Sequence, residues 1–128
     1  MQIFKLKGLA RFVRRERISD ASLREAIERA ERGNIDADLG GGLIKQRVAR
    51  PGKGRSGGFR MMVAYRAEDR AFFLFGFAKN ERDNINPQEL EALRKIATLW
   101  LTADASQIGA GLEDGLLIEV EDGSDGKA

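Results

Sequence analysis

Two hydrophobic periods divide this chain. Leu9, Phe12 and Val13 recur at helical spacing, with Arg11, Arg14 and Arg15 turned elsewhere, and this predicts a short, basic, amphipathic helix after an edge strand around Ile3 and Phe4. Ser19 and Asp20 then offer an N-cap. Leu23, Ala26, Ile27 and Ala30 follow at i, i+3, i+4 and i+7, and Gly33-Asn34 is a C-terminal stop, so a second helix is expected. Past the break at Gly40, Gly41 and Gly42 the period becomes two. Residues 43–50 send Lys45 and Arg47 to one face and Ile44 and Val48 to the other.

Residues 51–58 read as a glycine-rich turn. Residues 59–66 then form the return strand, with Phe59, Met61, Val63 and Tyr65 on one face and Arg60, Met62, Ala64 and Arg66 on the other. Residues 71–78 are apolar on both faces, the mark of a central strand covered on both sides. Asn86-Pro87-Gln88-Glu89 starts a helix: a cap residue, proline at the first helical position and glutamate three after the cap. Leu90, Leu93, Ala97 and Trp100 carry its apolar stripe. Asp104 caps a further short helix to about Ala110, residues 116–120 suit one more strand, and residues 121–128 form a polar tail that should fray. One domain over residues 1–120 with a flexible acidic tail at 121–128 is the expected organisation.

Charge changes this picture because it is segregated. Residues 40–67 carry seven cations and no acid, so against a net charge of +2 for the whole chain the remainder sums to −5. Seven cations repel one another, which points to an anion supplied from outside the chain. Lys45, Arg47 and Arg60 should share one face of adjacent strands, and Lys79 and Arg82 should approach the same end of the sheet. Gly52-Lys53-Gly54-Arg55-Ser56-Gly57 has the spacing G-x-G-x-x-G, but a strand follows where dinucleotide binding needs a helix. What remains is a loop whose backbone N–H groups, Lys53, Arg55 and Ser56 can contact phosphate.

Cysteine and histidine are both absent, which removes disulfides, thiolate metal sites and the usual acid–base residue near neutral pH. No carboxylate cluster accompanies the basic face, so neither a metal nor a cofactor is expected. No apolar run is long enough for a membrane span and no signal peptide is evident, so a cytoplasmic protein is expected. Tyr65, Trp100 and the phenylalanines between Phe72 and Phe77 read as core.

Four segments in order, Asp36-Ala-Asp-Leu-Gly-Gly-Gly, Lys45-x-Arg47-x-Ala-Arg50, Gly52-Lys-Gly-Arg-Ser-Gly-Gly-Phe-Arg60 and Phe77-Ala-Lys-Asn-Glu-Arg82-x-Asn84, give the chain a family likeness. It resembles the RelE superfamily of bacterial toxins, most closely the HigB-like branch with its long Gly-Lys-Gly hairpin loop, over about residues 3–101. The resemblance implies an α+β fold, two N-terminal helices packed on a small, mainly antiparallel sheet with a C-terminal helix beyond it. It implies the toxin of a type II toxin–antitoxin pair, partnered by a cognate antitoxin and cutting mRNA on the ribosome. In such enzymes the RNA 2′-hydroxyl attacks the adjacent phosphate and cations stabilise the transition state.

On that likeness Lys45, Arg47, Lys53, Arg60 and Lys79 are the candidate catalytic residues, and Arg50, Arg55, Ser56 and Arg82 the candidate RNA or ribosome contacts. Asn80 stands where an arginine is often found and no tyrosine follows in the next turn, so a catalytic tyrosine does not carry over. A lysine whose pKa is lowered by neighbouring cations, Lys45 or Lys53, is then the expected base. The alternative is a non-catalytic module like the superfamily's ParE members, which inhibit DNA gyrase, or one that only binds nucleic acid.

Overall fold

The computed structural model describes residues 1–50 and 54–121, with residues 54–56 described by backbone alone. Strand β1 (Gln2–Leu6) leads into helices α1 (Lys7–Arg15) and α2 (Asp20–Glu31). Strands β2 (Ala37–Gly40), β3 (Leu43–Arg50), β4 (Gly54–Arg66) and β5 (Arg70–Ala78) follow. Helices α3 (Pro87–Leu101) and α4 (Ala105–Glu113) and strand β6 (Leu117–Glu119) complete the chain. The six strands form one mixed sheet in the order β2-β3-β4-β5-β1-β6.

Two hydrophobic clusters lie on opposite sides of this sheet. Ile44, Val48, Phe59, Met61, Val63 and Phe73 pack with Leu9, Val13, Leu23 and Ile27 of α1 and α2. Leu43, Met62, Ala64 and Phe72 pack with Leu93, Ala97 and Ile108 of α3 and α4. Consecutive residues on one strand fall into different clusters because side chains alternate across a strand. The same parity puts Ile3 in the first cluster and Phe4 in the second.

Side-chain caps fix the starts of three helices. Asn86 Oδ1 accepts from the Glu89 N–H at 2.8 Å while Glu89 Oε1 accepts from the Asn86 N–H at 2.8 Å, a reciprocal cap that starts α3 at Pro87. Asp104 and Gln107 repeat the arrangement at α4. Ser19 Oγ accepts from the Ser22 N–H at 3.1 Å at the head of α2.

Three points depart from the sequence pattern. β1 is not an edge strand: it lies between β5, to which it runs parallel, and β6. One parallel pair makes the otherwise antiparallel sheet mixed, helices cover both of its faces, and α4 and β6 follow where the pattern after Asp104 predicts them. The segment before the glycines forms β2, whose two-residue turn to β3 at Gly41 and Gly42 has φ +64° and +84°. Two positive φ values define a type I′ hairpin turn, which glycine adopts without steric cost. Finally, the return strand starts at Gly54, paired with Arg50, so the loop between β3 and β4 is shorter than a turn over 51–58. Glycine backbones pair in a ladder whatever their side chains lack.

Candidate functional site

Strand register decides which cations meet. Arg47 stands directly opposite Arg60, and Lys45 opposite Met62, across β3 and β4. On the other side of β4, Arg60 stands opposite Phe77 and Met62 opposite Phe75. Lys45, Arg47, Arg60, Phe75 and Phe77 therefore share the face that α3 covers further along, over Leu43, Met62 and Ala64. Beyond the helix the same parity carries cations instead of core.

Like charges directly opposite on neighbouring strands are destabilising, and the chain supplies one counterion. Asp36 Oδ2 accepts from the Arg47 backbone N–H at 2.7 Å, and its Oδ1 pairs with Arg47 Nη2 at 3.2 Å. Arg29, buried to 4% exposure, donates Nη1 to the same Asp36 carboxylate at 3.4 Å, Nε to Glu25 at 3.1 Å and Nη2 to the Arg47 carbonyl. Fully buried Gln46 accepts from the Asp36 N–H at 2.7 Å and donates to the Ala26 carbonyl at 2.9 Å. Burial pushes the Asp36 carboxyl up, but hydrogen bonds from Arg47 and the charges of Arg47 and Arg29 outweigh it and hold the pKa below the usual aspartate range.

The basic segment is thus less free of acids than its sequence implies. Asp36 pairs with Arg47, Glu16 reaches Arg50 at 4.0 Å, and Asp69 binds Arg66 at 2.5 Å, all from outside residues 40–67. Glu89 binds both ends of the Arg82 fork, at 2.6 and 3.1 Å. An anion from outside the chain is not needed to balance these four arginines. Among the described residues Lys45, Arg60 and Lys79 make no ion pair.

Arg60 differs from every other arginine described. Its Nη1 is buried and has no hydrogen-bond partner among the described residues. Burial first, then repulsion from Arg47, lowers its pKa, and Asp36 offsets only part of this. A buried donor on a charged group is costly to leave unpaired.

The remaining expected residues divide. Arg82 lies 5.3 Å over the Phe77 ring and 6.0 Å over that of Phe75, beside Arg60, but its fork is occupied by Glu89. Lys79 follows β5, is exposed, and donates its backbone N–H to the Gly58 carbonyl at 3.3 Å; the alternation of Phe75 and Phe77 reaches it next. Arg50 is on the opposite face, 5.5 Å over the Phe59 ring. Lys53 lies outside the described residues, as do the side chains of Arg55 and Ser56.

Asp36 and Arg29 had no assigned role in the sequence reading. One signal was present for Asp36. A two-residue turn at Gly41 and Gly42 brings Asp36 to the level of Gln46 and Arg47, and the register shift between Asp38 and Gly40 sets Ala37 opposite Lys45. A cavity of about 620 Å³ lies elsewhere, at the β1–β6 edge of the sheet between Gln2, Arg24, Glu28, Glu31 and Glu119. Its acidic lining is unsuited to an anion, and the cationic face remains the candidate site.

Open, cationic and partly aromatic, that face suits a polyanion carried on a small α+β scaffold. The sequence model of the family described as "RelE toxin of RelE / RelB toxin-antitoxin system" matches residues 1–120. The chain belongs to this family and is a toxin of a toxin–antitoxin system, with an antitoxin as the partner that membership implies. Among the described residues no helix is long and apolar enough to cross a membrane.

Proposed function

We propose that this toxin is an endoribonuclease that cleaves mRNA on the ribosome and so stops translation. The observation that carries the reading is Arg60, whose buried Nη1 has no hydrogen-bond partner among the described residues and whose backbone stands opposite that of Arg47 on the neighbouring strand. Such a donor is unfavourable in the free protein, and a phosphate oxygen brought to the Arg60 guanidinium would offset that cost. Interactions of this kind strengthen as negative charge builds in a transition state.

In the proposed reaction the scissile phosphate lies against Arg60 and Arg47. The 2′-oxygen of the preceding ribose attacks phosphorus, its proton passes to a base for which Lys45 and Lys53 are the candidates, and the bond to the 5′-oxygen breaks. A 2′,3′-cyclic phosphate and a 5′-hydroxyl result. Arg60 and Arg47 stabilise the extra charge on the phosphoryl oxygens, and Lys79 is the candidate to protonate the leaving oxygen. Arg50, Arg55, Ser56 and Arg82 are proposed as contacts to the RNA or ribosome. The openness of the face supports dependence on the ribosome, because an exposed sheet surface positions a flexible strand poorly by itself.

Primer extension on mRNA after induced expression tests the activity, and alanine at Lys45 and at Arg60 tests the site. Discrete cuts in translated message that vanish in both variants are the expected result. Intact message with arrested replication would replace this reading with gyrase inhibition. Normal cutting by both variants would move the site elsewhere.

A further inference from the structure

Arg47 is half-exposed and faces another arginine, so left alone it would swing toward solvent. Asp36 prevents this in a particular way. It takes the Arg47 backbone N–H on one oxygen and the guanidinium on the other, closing a ring that fixes both ends of the side chain. The carboxylate is itself anchored. Its backbone N–H is held by buried Gln46, and Arg29 approaches Oδ2 from behind while also binding Glu25 and the Arg47 carbonyl.

We infer that Asp36 is a positioning residue: it holds the Arg47 guanidinium beside Arg60 so that both face one phosphate. This inference rests on the nuclease reading for its catalytic half only. Asp36 does not suit the role of base, because two arginines already share its carboxylate. A carboxylate this close to a phosphate site also repels the ground-state substrate. Its contribution must therefore come from arranging Arg47, and removing it should separate binding from rate.

Asp36→Asn is the suitable variant. The amide keeps an oxygen for the Arg47 N–H and loses the charge that holds the guanidinium. Arg29 keeps Glu25 and the Arg47 carbonyl, so the fold should persist. The expected result is RNA affinity unchanged or severalfold tighter, measured with a 2′-deoxy substituted RNA that cannot be cut. Single-turnover cleavage of ribosome-bound mRNA should meanwhile fall about 10- to 100-fold, the scale on which small misplacements act.

A double-mutant cycle supplies the second readout: Asp36→Asn added to Arg47→Ala should cost nothing further, because the residue it positions is already gone. Nitrogen-15 relaxation of the Arg47 side chain should show loss of order in Asp36→Asn. Additive losses in the cycle, or an Arg47 side chain equally ordered in both proteins, would overturn the inference. Wild-type protein that binds RNA without cutting it would sink the nuclease reading alone, and the relaxation and affinity measurements would still decide what Asp36 does to Arg47.

Discussion

The two ends of one sheet face obey the same strand parity and carry opposite chemistry. Toward the Gly42 turn, Leu43, Met62, Ala64 and Phe72 lie buried under α3, with Phe72 stacked on Phe4 at 5.1 Å and on Trp100 at 5.6 Å. Toward the other end, Lys45, Arg47 and Arg60 occupy the positions that would continue this core. A cation there is tolerated because the helix does not extend over it. Under the proposed function stability resides at the covered end and binding chemistry at the open one, and substitutions at the two ends should fail differently.

The largest expected effect is at the covered end. Phe72→Ala removes a fully buried ring from the stack and should destabilise the fold by about 3–5 kcal/mol. Denaturant unfolding measures this loss, and cleavage per folded molecule should stay near the wild-type value. A fall in specific activity as large as the fall in stability would show that the two ends are not separable.

Arg60→Met is the converse experiment. It keeps the apolar stem and removes the unpartnered fork, so cleavage should drop by about 10²- to 10³-fold, the range for losing one donor aimed at developing charge. Stability should be equal or higher, since a desolvated donor and a cross-strand repulsion both disappear. Unfolding together with the loss of activity would mean that Arg60 serves the fold.

Next in size is Asn86→Ala, which opens the reciprocal cap with Glu89 and should cost about 1 kcal/mol. Its interest is that Glu89 also holds Arg82 over Phe75 and Phe77 at the open end. If cleavage changes by more than the folded fraction explains, the cap reaches the candidate site through Arg82.

The sequence made the covered end more legible than the open one. Caps at Ser19, Asn86 and Asp104 and the parity of residues 43–50 and 59–66 depend on neighbours a few positions away, so local pattern identifies them. The interior place of β1 depends on parallel pairing with β5, some 68 residues later at Gln2 and Arg70, which no local pattern reports. β2 escaped because four residues containing Asp38 and Gly40 carry little strand propensity. The counterions Asp36, Glu16 and Asp69 belong to other elements, so a charge tally within 40–67 overstated how many cations were free.

The smallest effect compares an ion pair at each end, Asp36 with Arg47 and Asp69 with Arg66. Both carboxyls have folded pKa values below the ordinary aspartate value of about 3.9. For Asp69 the Arg66 hydrogen bond is the main cause, whereas for Asp36 burial opposes the shift and the contacts with Arg47 and Arg29 overcome it. A depressed carboxyl stabilises the fold above its unfolded pKa, and that stability is lost as pH falls through the folded value. Melting temperature should therefore drop on acidification below about pH 4 in wild type, and each Asp→Asn variant should flatten that drop. Salt separates the two. The Asp69 pair is exposed to solvent and screened, so Asp69→Asn should leave the melting temperature unchanged at high ionic strength. The Asp36 side chain is only 18% exposed and backed by buried Arg29, so its contribution to the acid slope should survive salt. Equal screening of both would mean that Arg47 is held no more firmly than a surface arginine, and the open end would lose a fixed cation beside Arg60.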